Sequence, residues 1–256
     1  MWYTFFKYGL FRPGVKILLR PRFEGAHNVP TTGGAVLASN HIGAGDTFSL
    51  PALVDRRMIF PAKKELFEGR TPSGRVVAWF MKRVGMVPLD RSGGRASAGA
   101  LGPIEQVLAD GELVGIFPEG TRSPDGRIYR GHTGVARMAL TMGVPVLPVG
   151  MVNTQLRRNR IGLSVMVDAS ITIGEPVDYS AWRGQSEDSR VLRWITDDVM
   201  ARVQQLSGQD YVDVYASRVK RGNLRGADLG RYLKATPTTG VERPRTDAEV
   251  EAEEQS

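Results

Sequence analysis

Short hydrophobic runs alternate with segments of helical spacing through the middle of the chain. Uninterrupted apolar runs bounded by turn residues predict buried strands. They lie at Ala35–Ser39, Met58–Ala62, Met86–Leu89, Leu113–Phe117, Val144–Met151 and Leu163–Ile173. Apolar residues three and four positions apart predict helices over Ser97–Ala109, Gly134–Met142 and Ser186–Leu206. The alternation predicts an α/β fold with a mixed, mostly parallel central sheet flanked by helices.

One of these runs contains two prolines. Pro145 and Pro148 lie in Val144–Met151, and proline has no N–H group to donate to a neighbouring strand. We therefore expect this strand at an edge of the sheet or next to a bulge.

The first 24 residues form a segment of their own, rich in aromatic and basic side chains. Residues 1–25 hold seven of the chain's 20 aromatic residues, five basic residues and one acidic residue. Basic residues interrupt the apolar pattern and Pro13 breaks it, so we expect no membrane-spanning helix. Aromatic and basic residues together favour the headgroup region of a bilayer. We predict an N-terminal membrane-interface helical segment at residues 1–24; the alternative is a terminal helix packed on the protein's own core.

The other end of the chain has the opposite charge. Residues 235–256 contain two basic and six acidic residues, a net charge of −4. The chain has 256 residues and a formal net charge of +7, so residues 1–234 carry +11. The polar, acidic composition predicts a disordered tail at 235–256 and leaves residues 25–234 as one domain.

The composition excludes several kinds of site. The chain has no cysteine, which excludes a disulfide scaffold, thiol catalysis and a cysteine-ligated metal centre. It has three histidines, and we expect no metal site. The positive charge favours an anionic partner, which is a nucleic acid, membrane headgroups or a phosphorylated substrate. Nucleic acid is not expected, because the basic residues are neither clustered in one helix nor interleaved with exposed aromatic residues as nucleic-acid-binding sheets require.

A candidate catalytic pair follows the predicted strand Ala35–Ser39. His41 lies just after this strand and Asp46 comes five residues later, with Gly43 and Gly45 between them. Ligands of α/β proteins bind at strand ends, and glycines let the chain fold back there. An aspartate that accepts the Nδ1 proton of a histidine leaves Nε2 free to take a proton. Taken alone, the spacing is also expected by chance.

Two further groups of residues offer donors for a phosphate. Phe117–Ser123 follows a predicted buried strand, and its Thr121 and Arg122 provide hydroxyl and guanidinium donors. Lys63 and Arg91 each lie beside a short predicted strand. Taken alone, each of these features is as well explained by an ordinary polar turn or a solvated charge.

In combination and in this order, the motifs resemble those of the glycerolipid acyltransferases, the 1-acylglycerol-3-phosphate acyltransferases and their relatives. The resemblance covers about residues 25–175. The blocks that carry it are Asn40-His41…Asp46, Lys63…Glu65-Leu66 with Gly85…Arg91, Phe117-Pro118-Glu119-Gly120-Thr121-Arg122-Ser123 and Val144-Pro145-Val146-Leu147-Pro148-Val149.

The resemblance implies a role for each matching residue. His41 is implied as the general base and Asp46 as the residue that orients it. The residues implied to bind the acceptor are Glu119, Gly120, Thr121 and Arg122, with Arg122 on its phosphate, and Lys63 and Arg91 as further phosphate contacts. The chain differs from the family at one place: many relatives have a Phe-Lys pair before a glycine, and this chain has Tyr129-Arg130-Gly131. Arg130 is a candidate replacement for that lysine, and His132 is a further candidate near the site.

The implied activity is transfer of a fatty acyl group to the free hydroxyl of 1-acylglycerol-3-phosphate, which makes phosphatidic acid. The donor is acyl-CoA or acyl carrier protein as co-substrate, and no cofactor is expected. The expected partners are a lysophospholipid, an acyl thioester and an anionic membrane surface, on the cytoplasmic face of the cell membrane. The alternatives are another lysophospholipid or glycerol 3-phosphate as acceptor, or a non-catalytic membrane lipid-binding protein. Acyl-chain length and oligomeric state stay open.

Overall fold

The computed structural model describes residues 2–89 and 102–254. Its strands are β1 (Arg22–Glu24), β2 (Ala35–Ser39), β3 (Met58–Ile59), β4 (Pro61–Lys63), β5 (Val87–Leu89), β6 (Leu113–Ile116), β7 (Ile128–Tyr129), β8 (Val146–Val152), β9 (Arg157–Arg158), β10 (Ser164–Val165), β11 (Ser170–Ile173), β12 (Tyr211–Val212) and β13 (Leu233–Lys234). Its helices are α1 (residues 2–19), α2 (Asp46–Leu53), α3 (Pro72–Arg83), α4 (Gly102–Ala109), α5 (Gly134–Met142), α6 (Ser189–Ser207), α7 (Ala216–Arg221) and α8 (Asp247–Glu254). Short 3-10 helices lie at Ala26–Asn28, Lys64–Phe67, Ser180–Gln185 and Gly230–Tyr232.

The central sheet has the strand order β1-β11-β8-β2-β6-β3. In this sheet β11 runs antiparallel to β8, and the other neighbouring pairs are parallel. This arrangement confirms the predicted mixed, mostly parallel sheet. The other strands form small accessory sheets, which are β4 with β5, β9 with β10, and β12 between β7 and β13.

Helices cover both faces of the central sheet. In β2, Val36 and Ala38 belong to a core cluster that includes residues of α4, α5 and α6. Ala35 and Leu37 belong to a second cluster, which includes residues of α1 and α2. Both faces of β2 are therefore buried, as expected for a parallel strand inside a sheet. Because β2 and β6 are parallel neighbours, the loops that follow these two strands meet at one edge.

The proline-containing strand lies inside the sheet, and its register with both neighbours is continuous, so the prediction of an edge strand or a bulge is wrong. β8 has β2 on one side and β11 on the other. The oxygen of Pro148 accepts a hydrogen bond from Gly174, just beyond the end of β11. In an extended strand the N and O of one residue point to the same side, so the missing N–H of Pro148 also faces the end of β11. The proline therefore interrupts no pair of the ladder.

The predicted strand Leu163–Ile173 is two strands, β10 and β11. Asp168 has a left-handed backbone with φ of 49°, which turns the chain between them. Alternating hydrophobicity continues through this turn, so the sequence pattern did not show the break. The predicted strand Met58–Ala62 is also two strands, β3 in the central sheet and β4 in the accessory sheet with β5. The other predicted strands and helices are present, most of them with shifted ends, and residues 97–101 of one predicted helix lie outside the described residues.

Helix α1 is continuous through Pro13, which was expected to break it. The turns at Lys7–Phe11 and Val15–Leu19 have the wider π-helical hydrogen bonding, which accommodates a proline in a helix. One face of α1 packs on the domain, where Val15 and Leu19 join the core. The ammonium group of Lys7 is also buried and donates to the backbone oxygens of Val54, Asp55 and Arg56.

Part of the segment predicted to be disordered forms a helix. Before α8, the N–H of Thr246 donates to the Glu249 carboxylate and the N–H of Glu249 donates to the Thr246 hydroxyl. This capping box satisfies two free donors at the helix start. Asp247 accepts hydrogen bonds from Gly184 and Gln185, which joins α8 to the domain. The domain boundaries at residues 24 and 234 stay predictions.

Candidate active site

The loop that follows β2 is held by the side chain of Asn40. Its amide donates to the oxygen of Met151 and accepts from the N–H of Met151, both at 2.8 Å. The same amide nitrogen donates to Gln209 at 2.8 Å. Asn40 is buried, so these bonds form away from water and fix where the chain leaves the sheet.

His41 and Asp46 form the predicted pair. His41 Nδ1 lies 2.8 Å from Asp46 Oδ2, and the same oxygen accepts from the N–H groups of Ile42 and Gly43 at 2.7 and 2.9 Å. An oxygen that receives backbone donors acts as a carboxylate, so the Nδ1 of His41 donates to it and Nε2 stays available for a proton. Asp46 is buried at the first turn of α2, where the helix dipole favours a negative charge.

The glycines of this loop permit a close approach of two backbones. A Cβ atom on Gly43 would lie 2.8 Å from the Cα of Gln155, and one on Gly45 would collide with the oxygen of Thr154. Larger residues at either position would push the loop away from the segment after β8. The loop therefore reaches its position by close packing, in addition to the backbone freedom expected of glycine.

Glu119 lies beneath the candidate site. Its side chain is 1% exposed, and its two oxygens accept the N–H groups of His41 and Tyr129 at 2.9 and 3.0 Å. Burial raises the pKa of Glu119 to about 8, against the effect of these two hydrogen bonds. The structure places Glu119 against the backbone of His41, and its implied role in shaping the acceptor site stays a prediction.

Two aromatic rings extend the site on the other side of His41. The His41 ring stacks on Phe117 with centroids 3.9 Å apart, and Phe117 stacks on Phe60 at 5.1 Å. The side chain of His41 is 15% exposed, so solvent reaches part of a ring that is otherwise enclosed. Stacking and the bond to Asp46 together restrict the orientation of the imidazole.

The other residues of the Glu-Gly-Thr-Arg motif turn the chain next to His41. Gly120 has a left-handed backbone with φ of 71°, which favours glycine. Thr121 is half-buried and Arg122 is exposed. The N–H of Ser123 donates to the backbone oxygen of His41 at 2.6 Å. The segment that contains the Glu-Gly-Thr-Arg motif and the candidate base are therefore joined by a direct hydrogen bond.

The structure places Lys63 at the exposed end of β4. β4 pairs in parallel with β5, and Lys63 lies opposite Leu89. The chain enters β4 from Phe60, whose ring belongs to the stack behind His41. Arg91 lies outside the described residues, two positions after Leu89.

Arg130 and His132 contact a segment that the sequence analysis did not connect with the site. The Arg130 guanidinium lies 3.4 Å from Asp213 and over the ring of Tyr215. The His132 ring stacks on Tyr215 with centroids 4.5 Å apart, and it lies beside Gly120. Arg130 therefore serves the packing of the C-terminal segment, and His132 lies at the edge of the motif. Neither Tyr215 nor the stacking residue Phe117 carried a signal of this role in the sequence.

A family model described as "Acyltransferase" matches residues 20–152, which is half of the chain and includes the two loops above. The chain belongs to the acyltransferase family. This acyltransferase is 34% identical over 132 residues to the chloroplastic 1-acyl-sn-glycerol-3-phosphate acyltransferase LPAT1 of Arabidopsis thaliana, covering 51% of the chain and 35% of the relative. It is 32% identical over 154 residues to the 1-acyl-sn-glycerol-3-phosphate acyltransferase of Borreliella burgdorferi, covering 58% and 56%.

A third relative matches over more of its length. The 1-acyl-sn-glycerol-3-phosphate acyltransferase of Bacillus subtilis is 28% identical over 200 residues, which cover 77% of the chain and 90% of the relative. The first two relatives, in contrast, are matched over a third to just over half of their length. Among solved structures, the 1-acyl-sn-glycerophosphate acyltransferase of Thermotoga maritima aligns with a TM-score of 0.57 and 24% identity, covering 79% of each chain. It supports the same fold.

Proposed function

We propose that this acyltransferase transfers a fatty acyl group from an acyl thioester to the free hydroxyl of 1-acylglycerol-3-phosphate. The observation that carries the proposal is the joined pair of loops, in which His41 is oriented by Asp46 and hydrogen-bonded to Ser123 of the Glu-Gly-Thr-Arg motif. A base and a phosphate-binding motif on two loops that are hydrogen-bonded to each other suit an acceptor whose hydroxyl and phosphate are a few bonds apart. The relatives named for this activity support the same acceptor.

The proton path follows from the orientation of His41. Nε2 takes the proton of the acceptor hydroxyl while the hydroxyl oxygen bonds to the thioester carbonyl carbon. The C–S bond of the tetrahedral intermediate then breaks, and the imidazolium returns the proton to the leaving thiolate. A positioned base contributes about 10²–10⁴-fold to such a rate. Asp46 stabilises the imidazolium between the two steps.

Donors for the tetrahedral oxyanion must come from groups with free capacity. The N–H of Gly43 is engaged by Asp46, and the N–H of Gly120 donates to the oxygen of Phe117 at 3.0 Å. Both glycine N–H groups are therefore used elsewhere. We propose that the exposed guanidinium of Arg122 and the ammonium of Lys63 bind the acceptor phosphate and do not stabilise the oxyanion.

The base assignment is tested with two histidine variants of the purified protein. His41→Ala should lose nearly all acyl transfer from acyl-CoA to 1-acylglycerol-3-phosphate, with an unchanged circular dichroism spectrum. His27→Ala is the matched control, because His27 is exposed on a 3-10 helix outside the site. Wild-type rates in His41→Ala would show that His41 is not the base.

The same assay identifies the acceptor and the donor. Wild-type protein is given 1-acylglycerol-3-phosphate, a lysophospholipid with a larger headgroup, or glycerol 3-phosphate, each with acyl-CoA and with acyl carrier protein. We expect the highest kcat/KM with 1-acylglycerol-3-phosphate. Turnover of none of these acceptors would favour a non-catalytic lipid-binding protein.

We also propose that the protein binds a membrane surface with the exposed faces of α1 and α3. No helix within residues 2–89 and 102–254 has the length and hydropathy to span a bilayer. The outer face of α1 exposes apolar side chains, including Phe5 and Ile17, and α3 exposes Val76, Val77 and Trp79. Apolar residues exposed together over two helices are typical of an interaction surface.

Ring contacts make these two helices one surface. Trp2 of α1 lies 5.7 Å from Trp79 of α3, and the Arg83 guanidinium lies over both rings. Aromatic residues with a nearby cation suit the headgroup region of a bilayer. The cytoplasmic face is the proposed location because acyl-CoA and acyl carrier protein are made there.

Single substitutions test this surface better than a deletion of α1, which would also remove buried contacts. Phe5→Glu and Val76→Glu should each reduce flotation with phospholipid vesicles, because a carboxylate opposes burial among acyl chains. Leu233→Glu, at an exposed leucine of β13, is the control. Unchanged flotation of both test variants would defeat the proposal.

A further inference from the structure

The C-terminal segment from β12 to α7 reaches the Glu-Gly-Thr-Arg motif. The Lys220 ammonium in α7 donates to the backbone oxygen of Arg122 at 3.2 Å, across 98 positions of the chain. Lys220 lies outside the residues that match the family model, so no motif assigns it a role. The contact adds a cation to the site from a part of the chain without a family signature.

A single peptide group joins Lys220 to the candidate base. The oxygen of the Arg122–Ser123 peptide accepts from Lys220, and the N–H of the same peptide donates to the oxygen of His41. From these two hydrogen bonds and the peptide dimensions, the ammonium lies within about 8 Å of the His41 oxygen. Hydrogen bonds in such a series polarise one another. The charge of Lys220 is therefore close to the place where the acceptor must bind.

The cations at this place form no ion pair with a carboxylate within the described part of the chain. Across residues 2–89 and 102–254, no carboxylate forms an ion pair with Arg122, Lys220 or Arg221. Burial lowers the pKa of Lys220, and the nearby charges of Arg122 and Arg221 lower it further. Like charges that gather without a carboxylate are stabilised when an anion binds between them.

The ammonium of Lys220 also has unused donors. A lysine ammonium has three N–H bonds, and in the described part of the chain the Arg122 oxygen is its one hydrogen-bond acceptor. Two N–H bonds are left for a ligand. Lys220 is only partly buried, so a ligand at the surface of the motif can reach it.

We propose that Lys220 binds the phosphate of the acceptor together with Arg122. This inference rests on the proposed function for the identity of the acceptor, and it adds a specificity residue from outside the family motifs. The ligand class is a phosphate monoester next to a free hydroxyl. Lys220 thereby favours acceptors that carry a phosphate over neutral glycerides.

The competing explanation is that Lys220 only supports the backbone of Arg122. A structural support would affect every acceptor and the stability of the protein to a similar extent. A phosphate ligand would affect phosphate binding, which is measurable without turnover. Binding of glycerol 3-phosphate by titration calorimetry separates the two explanations.

The variants are Lys220→Gln, Lys220→Arg and the control Arg225→Gln. Arg225 lies four residues after α7 and is exposed, so its variant removes one charge nearby in the chain. Loss of one charge-assisted hydrogen bond should weaken glycerol 3-phosphate binding about tenfold or more in Lys220→Gln. Lys220→Arg should keep most of the binding because it keeps the cation. Thermal unfolding of each variant shows whether the fold is kept.

Several results would overturn the inference. They are equal binding by Lys220→Gln and wild type, an equal loss in Arg225→Gln, or no binding of glycerol 3-phosphate by wild type. Acyl-transfer assays keep this inference separate from the proposed function. Normal acyl transfer with an unchanged acceptor KM in Lys220→Gln would refute the role of Lys220 alone. Phosphate binding that depends on Lys220, in a protein without acyl transfer, would refute the proposed function alone.

Discussion

Replacing Glu119 with glutamine tests whether this buried carboxyl group holds the loop that carries His41. Its oxygens accept the N–H groups of His41 and Tyr129 at 2.9 and 3.0 Å. A glutamine amide accepts one of these bonds and turns its own NH₂ group toward the other donor, which then loses its partner. A buried donor without a partner costs about 1–3 kcal/mol. Near pH 4.5, where the stabilising contribution of the Glu119 proton is still present in the wild type, we expect Glu119→Gln to lower the free energy of unfolding by this amount. We also expect a lower kcat, because His41 is held less firmly.

The same carboxyl group makes the stability of the wild type depend on pH. Burial raises the pKa of Glu119 from 4.5 to about 8, while in the unfolded chain the group ionises near its ordinary value. Between these pH values the folded protein keeps a proton that the unfolded chain has released. The stabilisation that this retained Glu119 proton provides is fully present below pH 4.5 and is lost as the pH rises to about 8. The loss is at most about 5 kcal/mol.

Urea denaturation at a series of pH values measures both effects. Glu119→Gln removes the titration, so the stability advantage of the wild type over this variant should shrink as the pH rises from about 5 to about 8. Glu24→Gln, at an exposed position of β1, is the matched control and should follow the wild type. Parallel stability curves for wild type and Glu119→Gln would refute this account of the buried carboxyl group.

Two further substitutions test contacts that hold the site and the N-terminal helix. Asp46→Asn should lower kcat by about 10²–10⁴-fold with little change in acceptor KM, because the amide no longer fixes the tautomer of His41; steady-state kinetics with an unchanged kcat would contradict the pairing. Lys7→Met should lower the melting temperature, because three backbone oxygens at the end of α2 lose their donor. Thermal unfolding measures this effect, and an unchanged melting temperature would show that α1 does not depend on the buried ammonium.

The sequence predicted the parts of the fold and site that depend on local pattern. The buried run Ala35–Ser39 forms the strand it predicted, and His41 follows that strand and meets Asp46 across the glycine-containing loop. Both outcomes follow from residues close together in the chain. The hydrogen-bonding chemistry of His41 and Asp46 could therefore be predicted without distant segments. Their catalytic role was implied by the family resemblance.

Contacts between distant segments account for what the sequence did not predict. The interior position of β8 depends on where β11 ends relative to Pro148, and no local rule specifies that register. The stacking of Phe117 under His41 depends on the parallel pairing of β2 with β6. Lys220 reaches the motif from α7, which follows β12, the strand that pairs with β7.

The structure also changes how the positive charge of the chain is interpreted. From the sequence alone, all the basic residues of the N-terminal segment are expected at lipid headgroups. Lys7 instead binds backbone oxygens, and Arg12 forms an ion pair with Asp55 at 2.5 Å, so both are engaged within the protein. The proposed membrane binding by α1 therefore relies more on exposed apolar side chains, such as Phe5 and Ile17, than on these two charges. The charge of Lys220, in contrast, lies next to the Glu-Gly-Thr-Arg motif and is proposed to bind the acceptor phosphate.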